Sequence, residues 1–305
     1  MRRKHRIRKR FREENDVTIS VGDCLHFLRS IPTNSTQLVL TSPPYNIGKE
    51  YERAEEFEEY IEFQKLVIAE CVRITRPGGS ICWQLGNHVG KRGEVIPLDM
   101  VLYPVFREFS ELYLRNRIVW HFEAGLHCQQ RFSGRHECIV WFSKGREYTF
   151  NLDAVRVPQK YPGKLAYKGP RKGRPSGNPL GKNPGDVWGI PNVKANHVEK
   201  TAHPCQFPIA LAETIILALT TTQDLVVDPF LGAGTTVIAA LKNGRRAAGC
   251  DLFQKYVEIV RERISQLERN ELPYRPRNQP VFCPPNGTRV TTPPKGFLRF
   301  RGQHT

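Results

Sequence analysis

The chain has 305 residues, of which 39% are hydrophobic and 25% charged, and its formal net charge is +16 at pH 7. This length allows one large domain or two ordinary ones, with a core that needs no disulfide or metal to hold it together. No apolar run approaches the roughly 20 residues of a membrane span, and the first residues lack the apolar segment of a secretory signal, so we expect a cytoplasmic protein.

The predicted elements of the first half are, in chain order, a strand at residues 16–23, a short helix ending at Pro32, a strand at 36–42, a helix at 55–75, a strand at 80–86, a helix at 99–110 and strands at 114–122 and 136–144. The helix at 55–75 begins with a cluster of glutamates, where the helix dipole favours negative charge. The Arg-Pro-Gly-Gly sequence at 76–79 is predicted to end it.

Residues 151–200 keep neither helical nor strand periodicity, and a loop of this length in a compact domain is normally functional. Helical spacing returns at 208–220. A strand, turn, helix and strand follow over 224–252, and a last helix is predicted at 254–269. This alternation predicts an open α/β sheet. We divide the chain into a basic arm (1–14), one α/β domain (15–270) and a Pro-rich basic tail (271–305), which we expect to be poorly ordered.

The positive charge is concentrated in two segments. Eight of the first twelve residues are Lys or Arg, and residues 160–182 contain seven more and no acid. Such local charge favours binding to a polyanion, most simply nucleic acid. For the first segment the alternative is a solubilising or targeting arm, whereas the second, rich in Gly, Pro, Tyr and Asn, indicates a structured loop.

The eight cysteines are scattered along the chain without any C-x-x-C pair. This pattern predicts buried free thiols, and we expect no metal site.

The segment VVDPFLGAGTT, residues 226–236, places a buried-type strand before a Gly-x-Gly turn and a helix. Gly232 and Gly234 let the backbone approach a ligand closely, and the start of the helix supplies unpaired amides. Nineteen residues after Gly232 a second strand ends at Asp251, where nucleotide-binding α/β units place the acid that binds ribose hydroxyls. The third glycine of the dinucleotide fingerprint is missing, which indicates an adenosine-bearing ligand without a pyrophosphate. A purely structural turn is the alternative for Gly-x-Gly alone.

Two motifs together resemble one enzyme family. TSPPY (41–45) combined with DPFLGAGTT (228–236) is similar to the amino-group DNA methyltransferases, which methylate cytosine N4 or adenine N6 with S-adenosyl-L-methionine. The motif order, with the catalytic motif first, is similar to the permuted β class. The resemblance covers about residues 17–269. It implies a Rossmann-like methyltransferase fold: a mostly parallel open sheet with helices on both faces and permuted motif order.

The resemblance also implies a set of site residues. Those for the cofactor S-adenosyl-L-methionine are Asp23, Asp228, Pro229, Phe230, Gly232, Gly234, Thr235, Thr236 and Asp251. A target-recognition region is implied at about 121–200, and its candidate DNA contacts are Arg131, Lys160, Lys164, Lys168, Arg171, Lys172, Arg174 and Lys182. Double-stranded DNA is then the expected partner, with a separate cognate restriction endonuclease as a further candidate.

The Ser-Pro-Pro-Tyr turn can serve as a clamp for an exocyclic amine. The amine is a poor nucleophile because its lone pair is delocalised into the ring, so a site that accepts both amino hydrogens favours the pyramidal nitrogen of the transition state. Ser42 Oγ and the Pro43 carbonyl are the two predicted acceptors, and Pro44 keeps the backbone rigid. Tyr45 is predicted to stack on the flipped base. The resemblance implies the same roles; the alternative is a tight turn that closes a strand.

Cytosine N4 is the expected target. Position 42 is Ser, where many adenine-modifying relatives carry Asp, and the shorter side chain next to Tyr45 suits the smaller pyrimidine. Adenine N6 is the alternative. RNA or protein methylation is another, although those relatives more often have Asn before Pro-Pro-Tyr. A non-catalytic nucleic-acid-binding module is the third, and two intact motifs count against it.

The sequence HPCQFP, residues 203–208, contains the Pro-Cys pair of the cytosine C5 methyltransferases. In that class the cysteine lies downstream of an N-terminal cofactor site and is usually accompanied by a Glu-Asn-Val segment. Neither feature is present in this chain. We therefore do not expect Cys205 to be a nucleophile, and we place HPCQFP beside the methionine end of the cofactor.

Overall fold

The computed structural model of the chain describes residues 4–46, 56–90, 93–125, 127–281, 285–288 and 292. Within these residues the strands are β1 (Ile7–Arg8), β2 (Val17–Val21), β3 (Thr36–Thr41), β4 (Thr75–Leu85), β5 (Asn87–Val89), β6 (Val95–Pro97), β7 (Leu112–His121), β8 (His136–Lys144), β9 (Val187–Gly189), β10 (Leu225–Asp228) and β11 (Arg246–Asp251). The α-helices are α1 (Cys24–Arg29), α2 (Phe57–Ile74), α3 (Leu98–Arg107), α4 (Ile209–Leu219), α5 (Thr235–Lys242) and α6 (Gln254–Arg269), and Leu152–Val155 form a 3-10 turn.

Nine strands form one sheet in the order β1-β2-β11-β10-β3-β4-β8-β7-β9. Neighbouring strands are parallel except at β8, which is antiparallel to both β4 and β7. Strands β3 and β10 are far apart in the sequence but pair directly in the sheet. The predicted α/β fold with a mostly parallel sheet and permuted motif order is confirmed.

Both faces of the sheet are covered by helices, as predicted. Leu38 and Leu40 of β3 pack into a core with α4, α5 and α6, whereas Val39 points to a second core with α1, α2 and α3. Successive side chains of a strand point to opposite faces, so an uninterrupted apolar strand such as β3 suits a sheet buried on both sides.

Short elements differ from the sequence expectations. Ile7–Arg8, in the segment assigned to the basic arm, pair in parallel with β2 as the edge strand β1. Arg-Pro-Gly-Gly, predicted to separate a helix from a strand, lies inside β4, where the pairing with β3 shifts between Thr36 and Leu38. The long loop contributes β9, which extends the sheet beside β7. Much of the predicted tail lies outside the described residues.

Several polar segments follow the strands at one edge of the sheet. The carboxyl ends of β2, β11, β10, β3 and β4 lie there, and because β8 is antiparallel its first residues reach the same edge. Open α/β sheets bind ligands at this edge. Among the described helices, none combines the length with the apolar character that crossing a bilayer requires.

Candidate active site

A cavity of about 540 Å³ lies at the carboxyl edge of the sheet. The turns after β2, β3, β10 and β11 line it, together with residues from β4, β7, β8 and the segment before α4. The cavity thus joins the Ser-Pro-Pro-Tyr turn to the Gly-x-Gly turn, although the two are far apart in the chain. The four residues predicted for catalysis and six of the nine predicted for the cofactor line this one cavity.

The Ser-Pro-Pro-Tyr turn forms one wall. Ser42, Pro43, Pro44 and Tyr45 all line the cavity. Ser42 Oγ lies 3.2 Å from the Tyr45 hydroxyl, and within the described chain no group donates a hydrogen bond to the Pro43 carbonyl. The Tyr45 ring packs closely on Gly86 at the end of β4, where an added Cβ would come within 2.7 Å of Tyr45 Cε2. The turn therefore presents a hydroxyl, a carbonyl and an aromatic ring to the same space.

A carboxylate from β8 lies behind this wall. Glu137 Oε2 accepts hydrogen bonds from the Tyr45 hydroxyl, at 3.1 Å, and from Gln84 Nε2, at 2.6 Å. Burial is the main influence on the Glu137 carboxyl and raises its pKa, while its hydrogen bonds and the nearby Lys194 and His136 act in the opposite direction. Glu137 and Gln84 are not among the residues that the sequence predicted.

The Gly-x-Gly turn forms the opposite wall. Asp251 Oδ2 accepts from the Gly232 amide and Oδ1 accepts from the Phe253 amide, each at 2.9 Å, so the carboxylate has a fixed orientation on the cavity. Gly232 has φ of +48°, and a Cβ there would lie 3.2 Å from the His203 ring. Asp23 also lines the cavity; its Oδ1 caps α1 by accepting from the His26 amide at 2.9 Å. Its Oδ2 accepts no hydrogen bond from the residues that the structure describes.

The predicted cofactor residues divide into two groups. Asp23, Pro229, Phe230, Gly232, Thr235 and Asp251 line the cavity. Asp228, Gly234 and Thr236 are buried behind its wall. Asp228 Oδ1 accepts from Thr41 Oγ1 at 2.6 Å, and Thr236 Oγ1 donates to the Leu40 carbonyl at 3.1 Å. These two residues fasten the end of β3 to the segment that carries the Gly-x-Gly turn, and burial raises the pKa of Asp228 to about 7.

His203 and Arg263 support the same turn. The His203 ring lies over Gly232, and its Nδ1 donates to the Cys205 carbonyl. Because burial lowers the pKa of His203 to about 4, the ring is neutral at pH 7 and its Nε2 is an acceptor. Arg263 of α6 is buried and donates to the Ala233 carbonyl at 2.5 Å. Helical spacing places Arg263 on the same face of α6 as Val260 and Leu267, although arginine is a residue type that is rarely buried.

The predicted DNA contacts all lie on the surface. The side chains of Arg131, Lys160, Lys164, Lys168, Arg171, Lys172, Arg174 and Lys182 are exposed, and in the described part of the chain none of them forms an ion pair. Seven of them lie on a backbone hairpin that opens at the Val157–Lys182 bridge and narrows at the Leu165–Pro175 bridge. At its tip, Ala166 and Arg174 are joined by a 2.8 Å hydrogen bond. We define residues 157–182 as the basic hairpin.

A second exposed segment borders the cavity. The loop between β7 and β8, residues 122–135, leaves the sheet at Phe122 and returns beside Glu137, both of which line the cavity. It carries Arg131 and, next to it, Phe132, whose side chain is 100% exposed. A large exposed apolar side chain flanked by a cation is informative because aromatic rings are normally buried. We define residues 122–135 as the rim loop.

Comparison with known proteins gives close relatives along most of the chain. A family model described as DNA methylase, of the N6 and N4 type, matches residues 36–262. The chain is 46% identical over 268 residues to the type II methyltransferase M.BglII of Bacillus subtilis, covering 87% of this chain and 74% of that protein. It is 33% identical over 253 residues to the DNA adenine methyltransferase YhdJ of Escherichia coli K12, covering 81% and 82% respectively.

Solved structures of the same architecture include the PvuII DNA methyltransferase, named as cytosine-N4-specific. That chain superimposes with a TM-score of 0.63 at 23% identity over 83% of this chain and 92% of its own, a likeness of fold alone. TTHA0409 of Thermus thermophilus, named as a DNA modification methylase and solved with S-adenosyl-L-methionine, superimposes with a TM-score of 0.60 at 27% identity, covering 84% and 94%.

Proposed function

The chain belongs to the N6/N4 family of DNA methylases, and we propose that it methylates cytosine N4 at a specific site in double-stranded DNA, as the modification enzyme of a restriction-modification system. Family membership makes it an S-adenosyl-L-methionine-dependent enzyme that acts on an exocyclic amine of DNA. One observation carries the proposal: the amine-binding turn and the cofactor turn line one cavity.

The residues of the cavity fit the cofactor. The oriented Asp251 carboxylate suits the two ribose hydroxyls, and the turn at Gly232 leaves room for a ligand beside a neutral His203. Phe230 is held by edge-to-face contacts with Phe63 and Trp83 and gives the site an apolar side. When bound, S-adenosyl-L-methionine supplies an electrophilic methyl group on a sulfonium sulfur.

The chain's own contribution to the reaction is orientation of the amine. Ser42 Oγ and the Pro43 carbonyl can each accept one amino hydrogen, and both are fixed because the turn is locked to β10 through Thr41 and Asp228. Two fixed acceptors favour the pyramidal nitrogen, which has its lone pair available, over the planar ground state. The Tyr45 ring lines the space that an extruded base must enter.

The choice of cytosine depends on Ser42. A hydroxyl is uncharged and shorter than the aspartate that many adenine-modifying family members carry, so it places the amine close to the backbone carbonyl and leaves room for one ring. Adenine N6 is the competing target, because the relative YhdJ is named as an adenine methyltransferase. The name of M.BglII as a type II methyltransferase supports the assignment to a restriction-modification system with a separate cognate endonuclease. A cytoplasmic location is part of the proposal, because the substrate is DNA.

The two exposed basic segments supply the DNA contacts of this proposal. The basic hairpin offers unpaired cations for phosphates, and the rim loop, which leaves the cavity wall at Phe122, carries the exposed Arg131 and Phe132. We infer that Phe132 enters the base stack when the target base leaves it, because an aromatic side chain can replace the lost stacking.

The test is methylation of plasmid DNA followed by digestion to nucleosides and mass spectrometry. We expect N4-methylcytosine from the parent and none from Ser42→Ala, while both proteins bind S-adenosyl-L-methionine equally in calorimetry. N6-methyladenine as the sole product would overturn the cytosine assignment. Sequencing of the modified DNA reads out the recognition site, and scattered methylation without a common sequence would contradict site specificity.

A further inference from the structure

A series of hydrogen bonds leads from the Ser-Pro-Pro-Tyr turn to a partly buried carboxylate. Ser42 Oγ lies 3.2 Å from the Tyr45 hydroxyl, which donates to Glu137 Oε2 at 3.1 Å. Gln84 Nε2 donates to the same oxygen at 2.6 Å. The links come from the turn after β3 and from the neighbouring strands β4 and β8, so the sheet itself fixes their spacing.

The Glu137 carboxylate determines which group donates and which accepts in each of these hydrogen bonds. An ionised Glu137 can only accept, so the Tyr45 hydroxyl must use its single proton toward Glu137. The Tyr45 oxygen is then an acceptor for the Ser42 hydroxyl proton. Ser42 consequently turns its lone pairs, and not its proton, toward the cavity. A hydroxyl that could otherwise rotate freely becomes a defined acceptor.

We propose that Glu137, acting through Tyr45, holds Ser42 as an acceptor for the target amine and receives the proton that the amine releases. The inference rests on the proposed function only in requiring an exocyclic amine at Ser42, and it holds equally for cytosine and adenine.

The bonds, electron pairs and protons of this step can be followed through Ser42, Tyr45 and Glu137. The amine nitrogen forms its bond to the methyl carbon as the carbon–sulfur bond breaks. The electron pair of the broken bond stays on the sulfur and neutralises its positive charge. The nitrogen, now cationic, loses a proton to Ser42 Oγ and regains the N–H electron pair. Ser42 passes its own proton to Tyr45, and Tyr45 passes its proton to Glu137 Oε2. Glu137 returns the proton to solvent after the product leaves.

The electrostatics of the site suit this role. Burial raises the pKa of Glu137 above that of an ordinary glutamate, which makes it a better proton acceptor while Lys194 and His136 limit the rise. Burial and the Glu137 charge raise the pKa of Tyr45 well above its usual value, so the phenol stays protonated and can relay a proton. Among the described residues, Cys205, exposed on the same cavity, and His88, whose Nδ1 lies 3.3 Å from the Tyr45 carbonyl oxygen, are further titratable groups beside Tyr45.

The first variant to test is Glu137→Gln, with Glu147→Gln as the matched control. Gln keeps the size of the side chain and an oxygen that accepts hydrogen bonds, but it cannot take up a proton. Glu147 is exposed beyond the far end of β8. In single-turnover methylation of target DNA we expect Glu137→Gln to lose about 100-fold in rate, in the range of general base catalysis. Affinity for S-adenosyl-L-methionine and for DNA, and the melting temperature, should match the control.

Tyr45→Phe keeps the aromatic ring but removes the hydroxyl that links Ser42 to Glu137. When two residues act in one relay, the effects of their substitutions on the rate are not additive. The double variant Glu137→Gln, Tyr45→Phe should therefore be no slower than the slower single variant. The pH profile gives a second readout: the parent rate should fall as Glu137 becomes protonated at low pH, starting above the usual glutamate range, and this fall should be missing from Glu137→Gln.

These experiments distinguish failure of the proposed function from failure of the proposed role of Glu137. A parent enzyme that does not methylate DNA refutes the proposed function. An active parent with an equally active Glu137→Gln variant refutes the role of Glu137. Losses that multiply in the double variant, or an acid limb that persists in Glu137→Gln, refute the relay.

Discussion

Two aspartates at the ends of neighbouring strands have different tasks. Asp251 faces the cavity with both oxygens oriented by backbone amides, whereas Asp228 is 1% exposed and accepts a hydrogen bond from Thr41, just before the Ser-Pro-Pro-Tyr turn. Both follow an apolar strand, so the sequence pattern assigns them alike to the cofactor. Only the geometry separates the residue on the cavity from the one that fastens two turns together.

Asp251→Ala should weaken binding of S-adenosyl-L-methionine by at least about tenfold, since hydrogen bonds to a charged group contribute about 1.5–3 kcal/mol each. Calorimetry with the cofactor and with an analogue lacking the ribose hydroxyls makes the test specific. The parent should discriminate between the two ligands and Asp251→Ala should not. Equal discrimination by both proteins would mean that Asp251 only orders the turn.

Asp228→Asn should change how stability depends on pH. In the parent the folded pKa is about 7 and the ordinary value is 3.8, so between these values the unfolded chain ionises while the folded protein keeps its proton. The unfolding free energy contributed by Asp228 therefore falls as pH rises from about 4 to 7, by up to about 4 kcal/mol. Asn cannot ionise, yet its oxygen can still accept from Thr41.

Urea unfolding at about pH 4.5 and about pH 8, conditions near the two ends of this window, measures the effect. The stability of Asp228→Asn relative to the parent should increase toward the higher pH, whereas Glu147→Gln should show no such trend. A relative stability that is the same at both pH values would show that Asp228 titrates normally.

At the scale of elements, long periodic segments are predictable from the sequence and short ones are not. Helix α6 has the bounds that its apolar spacing predicts, residues 254–269, because that spacing is set by the chain itself. Strands β1 and β9 have two and three residues, too few for any period, and exist only through hydrogen bonds to β2 and β7. Their positions depend on partners that a local pattern does not contain.

The candidate site follows the same division. The clamp and the Gly-x-Gly turn can be found because proline, glycine and a terminal acid mark them locally. Glu137 could not be predicted from the sequence because its position depends on the direction of β8. Since β8 is antiparallel, the acid at its start lies at the edge of the sheet where the parallel strands end. Sheet direction is a long-range property.

The rim loop gives the element-scale prediction. Phe132→Ala should weaken binding to target DNA by about tenfold or more, since stacking contributes about 1–3 kcal/mol per base. It should also reduce the fluorescence increase of 2-aminopurine placed at the target base. Met100→Ala, which removes an exposed apolar side chain from α3, is the control. Unchanged binding and fluorescence in Phe132→Ala would leave the loop outside the DNA interface.

On the scale of the whole molecule, the positive charge lies at both ends of the sheet. Strand β1, within the N-terminal basic segment, is one edge, and β9, which follows the basic hairpin, is the other. Nine strands span about 40 Å at roughly 4.8 Å per strand. This distance is several Debye lengths at physiological ionic strength, so the charges of the two segments are screened from each other and their effects on DNA binding can be measured separately.

Salt dependence of DNA binding distinguishes these segments. Replacing Lys164, Lys168, Arg171 and Lys172 by Ala should flatten the slope of log affinity against log salt by roughly 0.9 for each phosphate that is no longer neutralised, because fewer counterions are released on binding. The matched variant replaces Arg6, Arg8, Lys9 and Arg10 and removes the same charge at the opposite edge. Flattening confined to the hairpin variant identifies the basic hairpin as the DNA-contacting surface. Equal flattening in both variants would indicate a general effect of net charge, and an unchanged slope in the hairpin variant would show that its cations face only solvent.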